Sequence, residues 1–218
     1  MLLVNFKTYE NAVGESALVL AELHARLAKN SPTPIGIAVN PLDLASVCQA
    51  YPNLPVFLQH SDEFGFGSHT GSINPTLAKA LGATGVLLNH SEKRLGPRLP
   101  DCVTAAQAAG LQVIVCAENA TEAAELSQRF KQLAFIAVEP RELIGGATSV
   151  TTANPAIIRE SVNSIAPSKL LVGAGIKKQA DVKTALKLGA SGVLLASGVI
   201  CAEDPEAVLG DLLQGFDP

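Results

Sequence analysis

"LGATGVLLNHSEKR", Leu81 to Arg94, and "LGASGVLLASGVI", Leu188 to Ile200, share one frame, with seven of their first eight positions identical. Each frame sets a short run of Val and Leu behind a glycine, with no polar alternation along it. Strands of that kind are buried on both faces, as in parallel sheets covered by helices. Beyond the shared run the two diverge. The first ends in Asn89, His90, Ser91 and Glu92, the second in Ala196, Ser197 and Gly198.

Working outward, six more runs of this type begin at Leu2 ("LLVNF"), Ile35 ("IGIAVN"), Val56 ("VFLQH"), Val113 ("VIVCA"), Ala134 ("AFIAVE") and Leu170 ("LLVGAG"), which makes eight with those at Val86 and Val193. Helical periodicity fills the intervals. Ala17, Leu20, Leu23 and Leu27 fall on one face; Val182, Ala185 and Leu186 fall together on another while Lys183 and Lys187 turn to water. Asn74-Pro75, Asn154-Pro155 and Asp204-Pro205 each read as an N-cap followed by Pro at the first helical position, and Gly82, Gly110 and Gly189 as C-terminal stops. Eight strand and helix units in 218 residues predict an α/β protein with a closed (β/α)8 barrel, a single domain over residues 1–218. The rival is an open doubly wound sheet. "GAGIKK" from Gly173 lacks the third glycine of a dinucleotide-binding turn and follows the seventh strand, not the first. In a barrel the two repeated frames become the fourth and eighth strands, on opposite walls.

Hydrophobic residues at 48% against 17% charged exclude disorder. A net charge of -4, with lysines spread singly, offers no electrostatic footprint for nucleic acid. No apolar run is long enough for a membrane span, and "MLLVNFKTYE" lacks the basic start and long apolar stretch of a signal peptide. A cytoplasmic protein with neither nucleic-acid nor membrane partners is expected. Cys48, Cys102, Cys116 and Cys201 show no C-x-x-C spacing and read as reduced, mostly buried thiols. The longest irregular stretch, Asp62 to Pro75, reads as functional or as an interface.

Barrels of this kind carry their chemistry at the C-terminal ends of the strands. Those ends hold Asn5 and Lys7, Gln59 and His60, Asn89 and His90, Cys116, Glu139, and Ala196 with Ser197. Alternate residues of a strand face the barrel axis, and an unpaired Lys against the helix layer is costly, so Asn5 and Lys7 are expected to point inward. Glu139 continues the parity of Phe135 and Ala137, and His90 that of Val86 and Leu88, and both are expected at the same mouth. Position alone does not choose between His60 and His90. Small residues in "GAGI", "ASGV" and "LIGGAT" let backbone approach an anion closely. The fourth-strand copy then supplies reacting groups, while the eighth stays bare so that its amides reach a phosphate.

"NFK" at Asn5, "NHSEKR" at Asn89, "VEP" with "LIGG" from Val138 to Gly146, "GAGI" at Gly173 and "GVLLASGV" at Gly192, in that order along the whole chain, resemble the triosephosphate isomerases, specifically their short archaeal-type branch. The resemblance implies a TIM barrel that interconverts dihydroxyacetone phosphate and D-glyceraldehyde 3-phosphate in glycolysis and gluconeogenesis, with no metal or organic cofactor. It implies Glu139 as the base and His90 as a neutral electrophile at the start of a helix opening with Ser91 and Glu92. Lys7 and Asn5 would also bind the substrate, Lys7 supplying positive charge to it and to the developing oxyanion, Asn5 a positioning hydrogen bond, and Glu92 a counter-charge. Pro140 to Ala147 would form a lid, with Ile144, Gly145, Gly175, Ala196 and Ser197 holding the phosphate. The lid reads "IGGA" where the family commonly has "IGTG", and "FGSHTGSI" resembles a subunit-interface loop, implying a homodimer or homotetramer. Two other readings are an aldolase or synthase on a related phosphate-binding barrel, and a non-catalytic protein that kept the phosphate cradle. The aldolase would need a Schiff-base lysine in the sixth strand, which has none.

Overall fold

A computed structural model describes residues 1–140, 143, 146, 149–165 and 169–217, and its eight parallel strands pair in sequence order into a closed ring. The strands are β1 (Leu2–Asn5), β2 (Ile35–Val39), β3 (Val56–Leu58), β4 (Gly85–Leu88), β5 (Gln112–Ala117), β6 (Phe135–Val138), β7 (Leu170–Val172) and β8 (Gly192–Leu195). The ring closes where Leu2, Leu3 and Val4 pair with Val193, Leu194 and Leu195. Because side chains alternate across each strand, two apolar layers form. Leu3, Phe57, Leu87, Ile114, Ala137, Leu171 and Leu194 fill the barrel. Leu2, Val4, Val86, Leu88, Ile136, Val138 and Val193 face outward into the larger core shared with the helices.

Those helices are α1 (Glu15–Asn30), α2 (Leu44–Ala50), α3 (Pro75–Ala80), α4 (Leu99–Ala108), α5 (Ala120–Arg129), α6 (Val150–Ala153), α7 (Pro155–Ile165), α8 (Gln179–Lys187), α9 (Ser197–Ile200) and α10 (Pro205–Gln214). The expected caps form. Asn74 accepts from the Thr76 and Leu77 amides, Asn154 from Ile157 and Asp204 from Ala207, each ahead of a Pro that has no N–H to satisfy.

The repeated frame has a steric cause. Gly82 and Gly189 sit just past α3 and α8 at φ 104° and 99°, a left-handed turn that a side chain disfavours. Gly85 and Gly192 open β4 and β8 where a Cβ would lie 2.3 Å from the Gln112 carbonyl oxygen and 2.0 Å from that of Met1. Both copies need a bare backbone at the same two points.

Along α1 the most buried stripe is Ala17, Leu20, Ala21 and His24, with Leu23 and Leu27 half-buried at its margin. His24 is wholly enclosed, its ring centroid 5.5 Å from that of Phe6. Its Nδ1–H donates to the Leu20 carbonyl at 2.6 Å, and Nε2 finds no partner among the described residues. Burial lowers its pKa from 6.5 to about 4, against a smaller opposing pull from the Leu20 carbonyl. Above pH 6.5 the ring is neutral in both folded and unfolded chains and the shift has no effect. As pH falls through 6.5 the unfolded chain takes up a proton that the folded chain refuses until about pH 4, so stability declines with acidification. In denaturant titrations the stability of His24→Leu relative to the parent should rise by about 2 kcal/mol between about pH 7.5 and about pH 5. An unchanged difference would show that His24 does not titrate on unfolding.

Candidate active site

Every described non-glycine residue with a left-handed backbone lies at the mouth of the ring: Lys7 after β1 (φ 50°), Asn89 after β4 (φ 61°) and Ala174 after β7 (φ 73°). Such conformations cost of order 1 kcal/mol or more each and persist only where their surroundings impose them. Lys7 and Ala174 line one cleft, together with Asn5, His90, Glu139, Gly175, Ala196 and Ser197 among others, and Asn89 directly precedes His90.

Asn89 corrects the inward and outward assignment made from the sequence. Val86 and Leu88, whose parity His90 was expected to continue, face the helix layer, and Leu87 faces the barrel. The turn at Asn89 breaks the alternation, sending its own side chain outward and His90 into the cleft. Outside, Asn89 Nδ2 donates to the Cys116 carbonyl at 3.1 Å and Oδ1 accepts from the Leu95 amide at 3.2 Å. Arg94 donates to the Asn89 carbonyl at 3.2 Å and is ion-paired with Glu122 on α5, whose other oxygen accepts from the Glu118 amide. Arg94 and Glu122 thus brace the turn that aims His90. Their pairing spans β4, β5 and α5, and no local spacing advertises it.

A second correction concerns the segment after His90. Ser91 and Glu92 lie in a turn, followed by a 3-10 turn at Gly96–Arg98 and then α4 from Leu99, so no helix starts at Ser91. What acts on the imidazole is local. The Glu92 amide donates to His90 Nδ1 at 3.2 Å, which leaves the proton of the neutral ring on Nε2. Burial lowers the His90 pKa, with Glu92 opposing and Lys7 reinforcing the shift. The ring is therefore neutral near pH 7.

His90 Nε2 stands 3.5 Å from Glu139 Oε2. That oxygen is buried and has no hydrogen-bond partner among the described residues. Burial pushes the Glu139 carboxyl up from 4.5 to about 7, against the pull of the Lys7 ammonium, with Glu92 adding to the rise. A carboxyl divided between its two forms near neutrality, with one free oxygen, can take up and return a proton. Gly173 makes the room for it. A Cβ there would lie 2.4 Å from both Cγ and Oε1 of Glu139. This packing role of the first glycine in "GAGI" rests on β6 and β7 being neighbours.

Lys7 Nζ reaches Glu92 at 2.6 Å, and Asn5 Oδ1 accepts from the Lys7 amide at 3.0 Å, fixing the strained turn. Gln59 donates to the Lys7 and Ala38 carbonyls at 3.0 and 3.1 Å. His60 is turned to Asp62 at 3.2 Å, at the foot of the 62–74 loop, and does not line the cleft with Glu139. Gly175, Ala196 and Ser197, after β7 and β8, line the same cleft. Of the expected phosphate contacts, Ile144 and Gly145 lie outside the described residues; Gly146 lines the cleft.

The sequence model of the family described as triosephosphate isomerase matches residues 1–213. The chain belongs to the triosephosphate isomerase family. Among curated triosephosphate isomerases, that of Methanoculleus marisnigri is 43% identical over 98% of this chain and 97% of its own length. That of Methanocaldococcus jannaschii is 37% identical over 98% and 99%. A crystal structure of triosephosphate isomerase from Bartonella henselae superposes with a TM-score of 0.70 over 99% of this chain and 97% of its own, at 22% identity, a likeness of fold. The archaeal relatives agree with the short-branch motifs of this triosephosphate isomerase family member.

Proposed function

We propose that the chain interconverts dihydroxyacetone phosphate and D-glyceraldehyde 3-phosphate by proton transfer through Glu139. The observation that carries this reading is the Glu139 oxygen, without a hydrogen-bond partner among the described residues, 3.5 Å from His90 Nε2 in a cleft that Lys7 also lines. The Glu139 carboxylate takes a proton from the hydroxymethyl carbon of dihydroxyacetone phosphate. The electron pair of that C–H bond becomes the carbon–carbon double bond of an enediolate. Negative charge gathers on the former carbonyl oxygen, where the His90 Nε2–H and the Lys7 ammonium offset it. His90 passes a proton between the two oxygens, and Glu139 returns its proton to the neighbouring carbon to complete the aldehyde. No group outside the chain is needed for these steps. Asn5 positions Lys7, Glu92 balances its charge, and the bare backbone at Gly175, Ala196 and Ser197 faces the phosphate.

The same reading assigns the chain to glycolysis and gluconeogenesis in the cytoplasm, a compartment consistent with the free thiols of Cys48, Cys102, Cys116 and Cys201. Among the described residues no helix is long and apolar enough to cross a membrane. A homodimer or homotetramer is supported by exposed apolar side chains, Leu42 at 91% and Phe66 at 74% exposure, the latter on the 62–74 loop. An aldolase reading finds no support in β6, whose residues are Phe135, Ile136, Ala137 and Val138. The test is incubation with dihydroxyacetone phosphate in deuterium oxide with no second substrate. Label at carbon and formation of the aldehyde are expected. Phosphate binding without exchange would reduce the chain to a binding protein.

A further inference from the structure

Lys177 is a charged side chain lining the cleft that the proton-transfer steps leave unused. It follows the left-handed pair Ala174 and Gly175 after β7, and its backbone is fixed from below. Asp181, 4% exposed at the start of α8, accepts from the Lys177 and Lys178 amides at 3.1 and 3.2 Å through one oxygen. Its other oxygen accepts from the Thr151 hydroxyl at 3.1 Å. The stem of Lys177 then runs over Gly198, where an added Cβ would touch Lys177 Cγ at 3.4 Å. Ala196, Ser197 and Gly198 line the same cleft.

The charges around the cleft show why a cation matters there. Lys7 is paired with Glu92 at 2.6 Å and also faces the Glu139 carboxyl. The reacting end therefore holds one ammonium and two carboxyl groups, and on its own it repels an entering dianion. Lys177 has no ion-pair partner among the described residues and lines the cleft with Gly175, Ala196 and Ser197.

We propose that Lys177 is a phosphate-binding residue of the cleft, supplying the positive charge that the backbone wall lacks and drawing in phosphate monoester dianions. The proposal rests on the isomerase reading for its substrate and on the cleft's charges for its substance. Solvent reaches this side chain, so its attraction is screened by salt, whereas backbone hydrogen bonds to the phosphate are not.

The test titrates inorganic phosphate by calorimetry into the parent, Lys177→Gln and Lys177→Arg, at low and high sodium chloride. At low salt Lys177→Gln should raise the dissociation constant about three- to tenfold, Lys177→Arg should restore it, and high salt should erase most of the difference. In assays with the triose phosphate, KM should rise in Lys177→Gln by more than kcat falls. Phosphate binding by Lys177→Gln equal to the parent's at low salt, or a loss that Lys177→Arg does not recover, would overturn the proposal. If the parent exchanged no deuterium yet bound phosphate with this dependence on Lys177, the isomerase reading would fall and the anion site would stand. Exchange in the parent with undiminished phosphate binding in Lys177→Gln would remove the Lys177 role alone.

Discussion

Glu139→Gln should lower kcat by about three orders of magnitude while leaving inorganic phosphate binding close to that of the parent, since a positioned base contributes roughly 10²- to 10⁴-fold. The amide keeps the shape of the carboxyl beside Gly173 and loses only the capacity to carry the proton. In the parent, kcat/KM should fall tenfold per pH unit below about 7, where burial holds the free carboxyl protonated. The same substitution should stabilise the fold. Below pH 4.5 the carboxyl is protonated in folded and unfolded chains alike. Between 4.5 and about 7 the unfolded chain releases a proton that the folded chain keeps, so stability declines as pH rises and the full penalty is present above 7. Replacing the carboxyl removes that penalty, a gain of roughly 3 kcal/mol at pH 8 in denaturant titrations. Normal turnover in the variant would refute the base assignment; lost turnover with no gain in stability would refute the raised pKa.

His90→Leu should reduce kcat by about 10²- to 10³-fold, the loss associated with one preorganised donor to a developing oxyanion. Leucine fills the place of the imidazole beside Glu139 but offers the substrate oxygen nothing. His90→Gln, whose amide can reach the position of Nε2, should recover part of the loss. The remainder measures proton traffic between the two substrate oxygens, which an amide cannot carry. Steady-state kinetics on both variants, with circular dichroism to verify folding, separates the two contributions. Equal activity of parent and His90→Leu would exclude the imidazole from the reaction.

The pH response of the parent itself is a balance. Acidification from about pH 7.5 to about 5 relieves the buried Glu139 charge by about 2 kcal/mol and burdens the enclosed His24 by a similar amount. His24 packs against Phe6 after β1 while Glu139 follows β6, so single variants expose what the parent conceals.

Most of the barrel is legible because its strands are apolar on both faces and its helices begin and end with residues of fixed habit. Asn74-Pro75 and Gly82 bracket α3 from sequence alone. The site is legible only where a strand end carries an uncommon group, as with Glu139 continuing Phe135 and Ala137 on the barrel face. For His90 the expected place holds and only the parity argument fails. It reaches the cleft against its nominal parity, because Asn89 adopts a left-handed turn held from α5 and β5. Gly173 opens "GAGI", and its missing side chain admits the Glu139 carboxyl, a role that no spacing in the sequence announces. Both depend on contacts between segments far apart in the chain, where periodicity has nothing to say.

The ring is joined by pairing Leu2–Val4 with Val193–Leu195, and the Met1 amine donates to the Ser191 carbonyl across a separation of 190 residues. During synthesis β1 emerges first and waits for its last neighbour, with one hydrogen-bonding edge bare until β8 has left the ribosome. A partial ring of this kind is an open sheet able to pair with other nascent copies. Closure is then the slow, long-range event of assembly, and weakening the β1 to β8 seam should lower the yield of native protein more than its final stability suggests.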